Sequence, residues 1–154
     1  MIVQFFDFEQ EDANPHNGTK VSTADELDAL LEDARRRASE PFIIKLAGAN
    51  GYDLGIGIGD VGFVQHQLSD GDPPCLLATP TDAPRLNVTP NKSAYNLAWE
   101  YDDEHRIKSP EFLCGGTLTP IPSRYALPFD LAKKIATHFV ETGERSPVVA
   151  WEVL

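Results

Sequence analysis

The apolar residues between Thr23 and Pro41 follow a helical spacing. Thr23 and Glu26 have the spacing of a capping box, which satisfies free backbone N–H groups at the start of a helix. Proline cannot continue a helix, so the segment should end before Pro41. The residues three or four apart that would face a core are Leu27, Leu30, Leu31, Ala34 and Ala38. The pattern predicts an amphipathic helix.

A second helical stripe lies between Pro128 and Gly143. Proline fits the start of a helix, and Asp130 would place negative charge in the first turn. Glycine favours the left-handed conformation that ends many helices. The predicted inward face is Ala132, Ile135, Ala136, Phe139 and Val140. The β-branched run that follows predicts a closing strand over residues 148–154, with Trp151 in the core or at its rim.

Shorter apolar runs elsewhere predict strands. They cover residues 2–8, 42–46, 52–58, 62–68, 75–79 and 94–101, with a further strand near residue 106. Gly59-Asp60 would turn a hairpin, and residues 102–104 would form a turn after the strand at 94–101. Residues 115–127, rich in Pro and Gly, would form a long connection. We expect one α+β domain over residues 1–154, mainly an antiparallel sheet with two main helices packed on it.

Residues 57–62 match the letters of a dinucleotide-binding motif, Gly-x-Gly-x-x-Gly. That motif places a phosphate at the start of a helix, but the next residues, Phe63 to Leu68, alternate like a strand. Glycines at 55, 57 and 59 would share one face of a strand and leave room for close packing. We interpret this space as filled by a helix or a Trp side chain of the protein itself and not by a cofactor.

The sequence offers no candidate for catalysis. It lacks a Gly-x-Ser-x-Gly nucleophile elbow. Glu100 to His105 gathers four carboxylates and an imidazole, but consecutive residues of a turn point apart, and no second His or Cys cluster could complete a metal site. His16, His66 and His138 are interpreted as surface or partly buried imidazoles. We predict no catalytic residue, no metal ligand and no cofactor.

The charge is strongly acidic. The chain has 24 Asp and Glu residues against 13 Lys and Arg residues, a net charge of -11. Such a field repels phosphate, which disfavours direct binding to nucleic acid. It would attract a basic protein and speed its association. A surface that serves only solubility would have the same composition, so charge alone does not choose between these two interpretations.

No stretch approaches the roughly 20 apolar residues of a membrane-spanning helix. Acidic residues interrupt the apolar residues within the first nine positions, and the basic start of a signal peptide is missing there. We therefore expect a cytoplasmic protein without membrane contact.

The C-terminal segment carries many of the residues by which the chain resembles a known family. The matching residues there are Phe139, Thr142, Gly143, Arg145, Pro147, Val149, Trp151 and Glu152. Upstream matches are Thr23, Glu26, Leu27, Leu30, Leu31 and the segment from Leu54 to Gly59. In this order they are similar to the Imm1-type immunity proteins, which inhibit the toxins of polymorphic toxin systems. The resemblance implies an α+β fold, no catalysis, and a partner toxin that is often a nucleic-acid deaminase.

The resemblance and the charge together suggest a cytoplasmic immunity protein that binds a cognate, basic toxin. It would occlude the active site or substrate groove, with carboxylates standing in for the phosphates that such a toxin binds. Two alternatives stay open. One is a small α+β enzyme with a carboxylate-lined pocket near the glycine strand, and the other is an acidic protein-binding scaffold.

The densest negative point of the sequence is the expected contact surface. Three adjacent carboxylates in a turn would project beyond the sheet, and a neighbouring tyrosine adds an amphipathic ring of the kind that anchors interfaces. The predicted partner-binding residues are Tyr101, Asp102, Asp103 and Glu104, with Asp70 and Asp72 in another turn as a second group.

Overall fold

The computed structural model describes all 154 residues and contains three helices and ten strands. The helices are α1 (Ala24–Arg37), α2 (Ala94–His105) and α3 (Phe129–Thr142). The strands are β1 (Val3–Phe6), β2 (Lys20–Val21), β3 (Phe42–Gly48), β4 (Tyr52–Ile58), β5 (Val61–Leu68), β6 (Leu76–Thr79), β7 (Glu111–Cys114), β8 (Thr117–Pro120), β9 (Leu127–Pro128) and β10 (Ala150–Val153). A 3-10 turn, Ser123–Tyr125, precedes β9. The predicted α+β class is confirmed.

Seven strands form the main path of the sheet, in the order β10-β6-β5-β4-β3-β1-β2. All of these neighbours are antiparallel. The β7–β8 hairpin extends the sheet beside the start of β3, where Phe42 pairs with Leu113 in the parallel sense. The closing strand β10 pairs with β6 alone, with Trp151 opposite Ala78. The C-terminal segment is therefore an edge of the sheet.

Helices α1 and α3 cover one face of the sheet. The Thr23 side chain accepts a hydrogen bond from the backbone N–H of Glu26 at 3.2 Å, so the predicted cap is present. Gly143 ends α3 with a φ of 76°, a conformation that L residues avoid. All predicted inward residues of the two helices are buried except Ala38, which lies just beyond α1. They pack against Phe5, Phe42, Ile44, Leu46, Leu54 and Ile56 of the sheet.

The opposite face of the sheet carries a smaller core. Its buried members are Phe63, Leu77, Ala98, Phe112, Ile121 and Tyr125. The Phe63 and Phe112 rings meet edge to face, with 4.8 Å between their centroids. Helix α2, strand β7 and the 3-10 turn supply this layer, so the sheet has an apolar core on each face.

Residues 94–105 form helix α2, and the predicted strand at 94–101 with a turn at 102–104 was wrong. The Ser93 side chain caps the helix by accepting a hydrogen bond from the backbone N–H of Asn96 at 3.2 Å. Large side chains at alternate positions 95, 97 and 99 imitate a strand. The buried face is instead set by Ala94, Ala98 and Asp102, which recur every four residues. The sheet therefore carries three helices where two main helices were predicted.

The segment after α2 is also more regular than the sequence predicts. Arg106 is not in a strand but ends α2 with a left-handed φ of 53°. The next strand begins at Glu111. Residues 115–127, predicted as a long connection, contain β8, the 3-10 turn and the start of β9.

Side chains of the neighbouring strands fill the space beside the glycines of β4. A Cβ atom placed on Gly57 would lie 2.3 Å from the Phe63 ring and 2.9 Å from the Phe112 ring. A Cβ atom on Gly55 would lie 2.9 Å from the side chain of Gln65. The predicted close packing is present, but phenylalanine rings provide it at Gly57 and the Gln65 side chain at Gly55, where a helix or a Trp side chain was expected. The segment after these glycines is strand β5, so the phosphate-binding geometry of a dinucleotide motif does not form.

Candidate functional site

Asp102 belongs to the fold and not to the exposed surface. It is 2% exposed, and its carboxylate accepts hydrogen bonds from the backbone N–H and the hydroxyl of Ser123. These bonds tie the end of α2 to the 3-10 turn. The prediction that Asp102 lies in an exposed turn was wrong, because the four-residue period of α2 turns it inward beside Ala98.

The other predicted contact residues of α2 are exposed. Tyr101 is 49% exposed and stacks on His105, with 4.0 Å between the ring centroids. Asp103 and Glu104 are both exposed. Tyr101 and Glu104 are three residues apart and share a face of the helix, whereas Asp103 projects about 100° away from Glu104. The negative charge is therefore spread around the last turn of α2.

Asp70 and Asp72 lie in the loop between β5 and β6 and are exposed. The Asp70 carboxylate accepts a hydrogen bond from the backbone N–H of Asp72 at 2.8 Å, which shapes the turn. No hydrogen bond or salt bridge joins these residues to Tyr101, Asp103 or Glu104. Contact of either group with a partner stays a prediction.

A cavity of about 700 Å³ lies where the C-terminal segment folds back over the sheet. Its floor comes from β4, β5 and β6, and its walls come from the loop after α3 and from β10. Its lining includes Tyr52, His66, Glu144, Arg145 and Trp151. Most of the C-terminal residues that carry the family resemblance, from Gly143 to Trp151, thus meet in one place.

Local hydrogen bonds fix the loop that forms one wall of the cavity. The Thr142 hydroxyl accepts a hydrogen bond from the backbone N–H of Glu144 at 3.1 Å. The Asn50 side-chain amide donates to the Gly143 carbonyl at 2.9 Å. The indole N–H of Trp151 donates to the Ser146 carbonyl at 3.0 Å. The loop is therefore tied both to the β3–β4 turn and to the closing strand.

His66 forms part of the cavity floor and is only 7% exposed. Its ring stacks on Tyr52 at 4.9 Å and meets Phe139 and Trp151 edge to face at 6.0 and 6.1 Å. Burial and, next, the positive charge of Arg145 hold the pKa of His66 below its ordinary value of 6.5, so the imidazole is neutral at pH 7. The ring makes no hydrogen bond within the chain, and neither nitrogen is sealed from the cavity.

Arg145 and Glu144 bring charge to the cavity wall. Both are exposed, and the Arg145 guanidinium has no hydrogen bond or salt bridge within the chain. A guanidinium presents a planar fork of N–H donors, and a neutral imidazole offers one donor and one acceptor. With the aromatic rings of Tyr52 and Trp151 beside them, these groups can hold a polar or anionic group.

Glu152 has a different role from its neighbours in the C-terminal segment. Its carboxylate accepts two hydrogen bonds from the Arg124 guanidinium, at 2.8 and 2.9 Å. These bonds hold the pKa of Glu152 below its ordinary value although burial opposes the shift. The pair connects β10 to the 3-10 turn, so Glu152 serves the fold.

The sequence did not predict the cavity, because its floor and walls are far apart along the chain. The only sign of it was the group of Gly143, Arg145 and Trp151 in the family resemblance. His66 was expected at the surface or partly buried, and its burial is deeper than that. Trp151 is half-buried, which agrees with a position at the rim of the core.

Two further features bear on function. No group of three or more His, Cys, Asp or Glu side chains is placed to hold a metal ion. None of the three helices is both long enough and apolar enough to cross a membrane.

The fold and the cavity describe an α+β protein with a concave surface over its C-terminal segment. The family model described as Immunity protein Imm1 matches residues 15–153, which include α1, α2, α3 and the cavity. The chain belongs to the Imm1 family of immunity proteins. This membership supports a role in neutralising a cognate toxin protein through binding. Neither a curated protein nor a solved structure matches the chain significantly.

Proposed function

We propose that this immunity protein acts in the cytoplasm on a basic toxin that attacks nucleic acid, and that it works by covering the active site or substrate groove. The observation that carries the proposal is the net charge of -11 on a member of an immunity protein family. A toxin that binds nucleic acid needs a basic cleft, because contacts to phosphate supply much of its affinity. An acidic inhibitor can occupy that cleft with carboxylates in place of phosphates.

The toxin that we propose is a nucleic-acid deaminase. In a zinc deaminase the target base must leave the stack and enter a pocket that contains the metal-bound water. A protein that covers the pocket mouth denies entry to the base. Inhibition of this kind needs no turnover, metal or cofactor in the inhibitor.

The exposed end of α2 is the proposed acidic contact surface. It presents Tyr101, Asp103 and Glu104, with Asp70 and Asp72 of the β5–β6 loop as the second group. Tyrosine offers a large amphipathic ring that loses little conformational entropy on binding, which suits the centre of an interface. Asp102 is no longer part of this surface, since its carboxylate is buried against Ser123.

The test uses the toxin that this protein captures in a pull-down from its native host, measured by growth protection and by stopped-flow association. The variant Asp103→Lys/Glu104→Lys should slow association and weaken protection, because charge attraction acts mainly on the on-rate. The matched control is Glu11→Lys/Asp12→Lys, which makes the same change in net charge at two other exposed positions. A larger effect at 103 and 104 than at 11 and 12 supports a contact surface at the end of α2.

The salt dependence of the association rate provides a second test. The association rate of the wild-type protein should fall as the Debye length shortens from about 10 Å at 0.1 M to about 3 Å at 1 M salt. A rate that does not change over this range would contradict electrostatic recognition. Catalysis by the toxin that continues in the saturated complex would contradict occlusion of its active site.

A further inference from the structure

His66 is a buried polar side chain without a partner. It is 7% exposed, and its ring makes no hydrogen bond within the chain. The ring nitrogens are not among the fully buried atoms that lack a partner, so they remain accessible from the cavity. Packing alone could be provided by a phenylalanine, since the neighbours of His66 are the rings of Tyr52, Phe139 and Trp151. The nitrogens of His66 open into the cavity, so a group that enters the cavity can satisfy them.

Arg145 is the second group without a partner in the same cavity. The chain contains 24 Asp and Glu residues, yet none of them forms a salt bridge with this guanidinium. The other residues of its loop have structural roles: Gly143 ends α3, and the Ser146 carbonyl accepts the indole N–H of Trp151. Nothing in the fold uses the charge of Arg145.

We propose that this cavity binds a carboxylate carried by an Asp or Glu side chain of the toxin, an inference that rests on the proposed function. The Arg145 guanidinium provides the planar fork that pairs with two carboxylate oxygens. The neutral imidazole of His66 adds one N–H donor from the floor. The rings of Tyr52 and Trp151 pack against His66 and hold its imidazole in place on the floor.

A carboxylate of a protein fits the surrounding charge better than a phosphate of nucleic acid. The chain carries a net charge of -11, so a polyanion would be repelled as it approached. A single acidic side chain on a basic toxin brings little repulsion with it. Glu144 lies in the same wall and would repel the bound carboxylate, so removal of its charge should strengthen binding.

The pairing would orient the complex. Across most of the proposed interface, carboxylates of the inhibitor face cations of the toxin, a pattern that attracts the partner without fixing its orientation. One pair of reversed polarity favours a single orientation, because any other places an unpaired charge in the interface.

The experiment measures the dissociation constant of the toxin captured in the pull-down, for the wild-type protein and four variants. Arg145→Met should weaken binding by about 10- to 100-fold, the usual effect of losing hydrogen bonds to a charged group. Arg145→Lys should have an affinity between those of the wild type and Arg145→Met, because lysine keeps the positive charge but lacks the planar fork of N–H donors. Glu144→Gln should bind more tightly than the wild type. Arg85→Met removes an exposed Arg elsewhere and should not weaken binding.

The source of the carboxylate is identified on the toxin. Each exposed Asp and Glu of the toxin is changed to Asn or Gln, and its effect is combined with that of Arg145→Met in a double-mutant cycle. One position should lose affinity in the wild-type background and little more in the Arg145→Met background. If every position is additive with Arg145→Met, the occupant is not an acidic side chain of the toxin.

The outcomes separate this inference from the proposed function. If Arg145→Met binds as tightly as the wild type while toxin activity is still blocked, the cavity is not a contact site and neutralisation by another surface stands. If the wild-type protein does not bind the toxin at all, both proposals fall. Because Arg145 is exposed and unpaired, its variant should fold normally, which a melting curve checks.

Discussion

Ser123 donates two hydrogen bonds to the buried carboxylate of Asp102, one from its backbone N–H and one from its hydroxyl. The two residues stand 21 positions apart in the sequence and join the end of α2 to the 3-10 turn before β9. No Lys or Arg side chain forms a salt bridge with this carboxylate. The two hydrogen bonds therefore supply the compensation for its lost hydration.

Removal of this carboxylate should destabilise the protein. We expect Asp102→Ala to lower the free energy of unfolding by about 1.5–3 kcal/mol, because it leaves both Ser123 donors without their acceptor. Asp103→Ala, at the next and exposed position, should change the same quantity by less than about 0.5 kcal/mol. Urea denaturation of the two variants measures the difference. Equal effects would contradict the structural role of Asp102.

The packing of β4 gives a second prediction. Gly57→Ala should lower the free energy of unfolding by about 1–3 kcal/mol, because the new methyl group overlaps the Phe63 ring. Gly55→Ala is the matched control on the same face of the same strand. Its methyl group would lie 2.9 Å from the Gln65 side chain and 3.1 Å from the end of the Ile43 side chain, and both chains can move more easily than the Phe63 ring, so the loss should be smaller. Thermal unfolding of both variants tests the order, and an equal or larger loss for Gly55→Ala would contradict it.

The two helices with clear ends and wide apolar faces could be predicted from the sequence. In α1 the Thr23 cap agrees with the structure, and in both α1 and α3 the apolar spacing and the terminating proline or glycine agree as well. Helix α2 gives conflicting signs. Its Tyr95, Leu97 and Trp99 alternate as in a strand, and its buried face consists of two alanines and an aspartate, which contribute little to an apolar pattern.

The cavity could not be predicted from the sequence for a different reason. Its residues lie in separate segments, 50–76 and 143–151, and only the order of strands in the sheet brings them together. Strand β10 pairs with β6, which places the loop after α3 above His66. The acidic contact surface was predicted on the assumption that these residues form a turn. Because they belong to a helix, Asp102 points inward and its neighbours are exposed.

The hydrogen bond between Trp151 and Ser146 gives a third prediction. Trp151→Phe keeps an aromatic ring at the rim of the cavity but removes the indole N–H that binds the Ser146 carbonyl. We expect a loss of about 0.5–1.5 kcal/mol in the free energy of unfolding, the usual contribution of one hydrogen bond. Urea denaturation measures it. Because Trp151 is half-buried, Trp151→Ala should cost less than the roughly 3–5 kcal/mol typical of a fully buried ring.

His66 should make the stability of the protein depend on pH. Its pKa in the folded state lies below the ordinary value of 6.5, because burial and the charge of Arg145 disfavour the imidazolium. Below pH 6.5 the unfolded chain therefore binds more protons at this residue than the folded chain. The contribution of His66 to stability is complete above pH 6.5 and falls as the pH drops from 6.5 through the lowered folded pKa.

The measurement is the free energy of unfolding of the wild type and of His66→Phe between pH 5 and pH 8. The difference between the two proteins isolates His66 from the carboxylates, which are common to both. We expect the wild type to lose stability relative to His66→Phe as the pH falls through this range. In an Arg145→Met background the loss should shrink, because one of the two causes of the lowered pKa is gone. A difference between wild type and His66→Phe that stays constant with pH would show that the imidazole is as well solvated in the folded protein as in the unfolded chain.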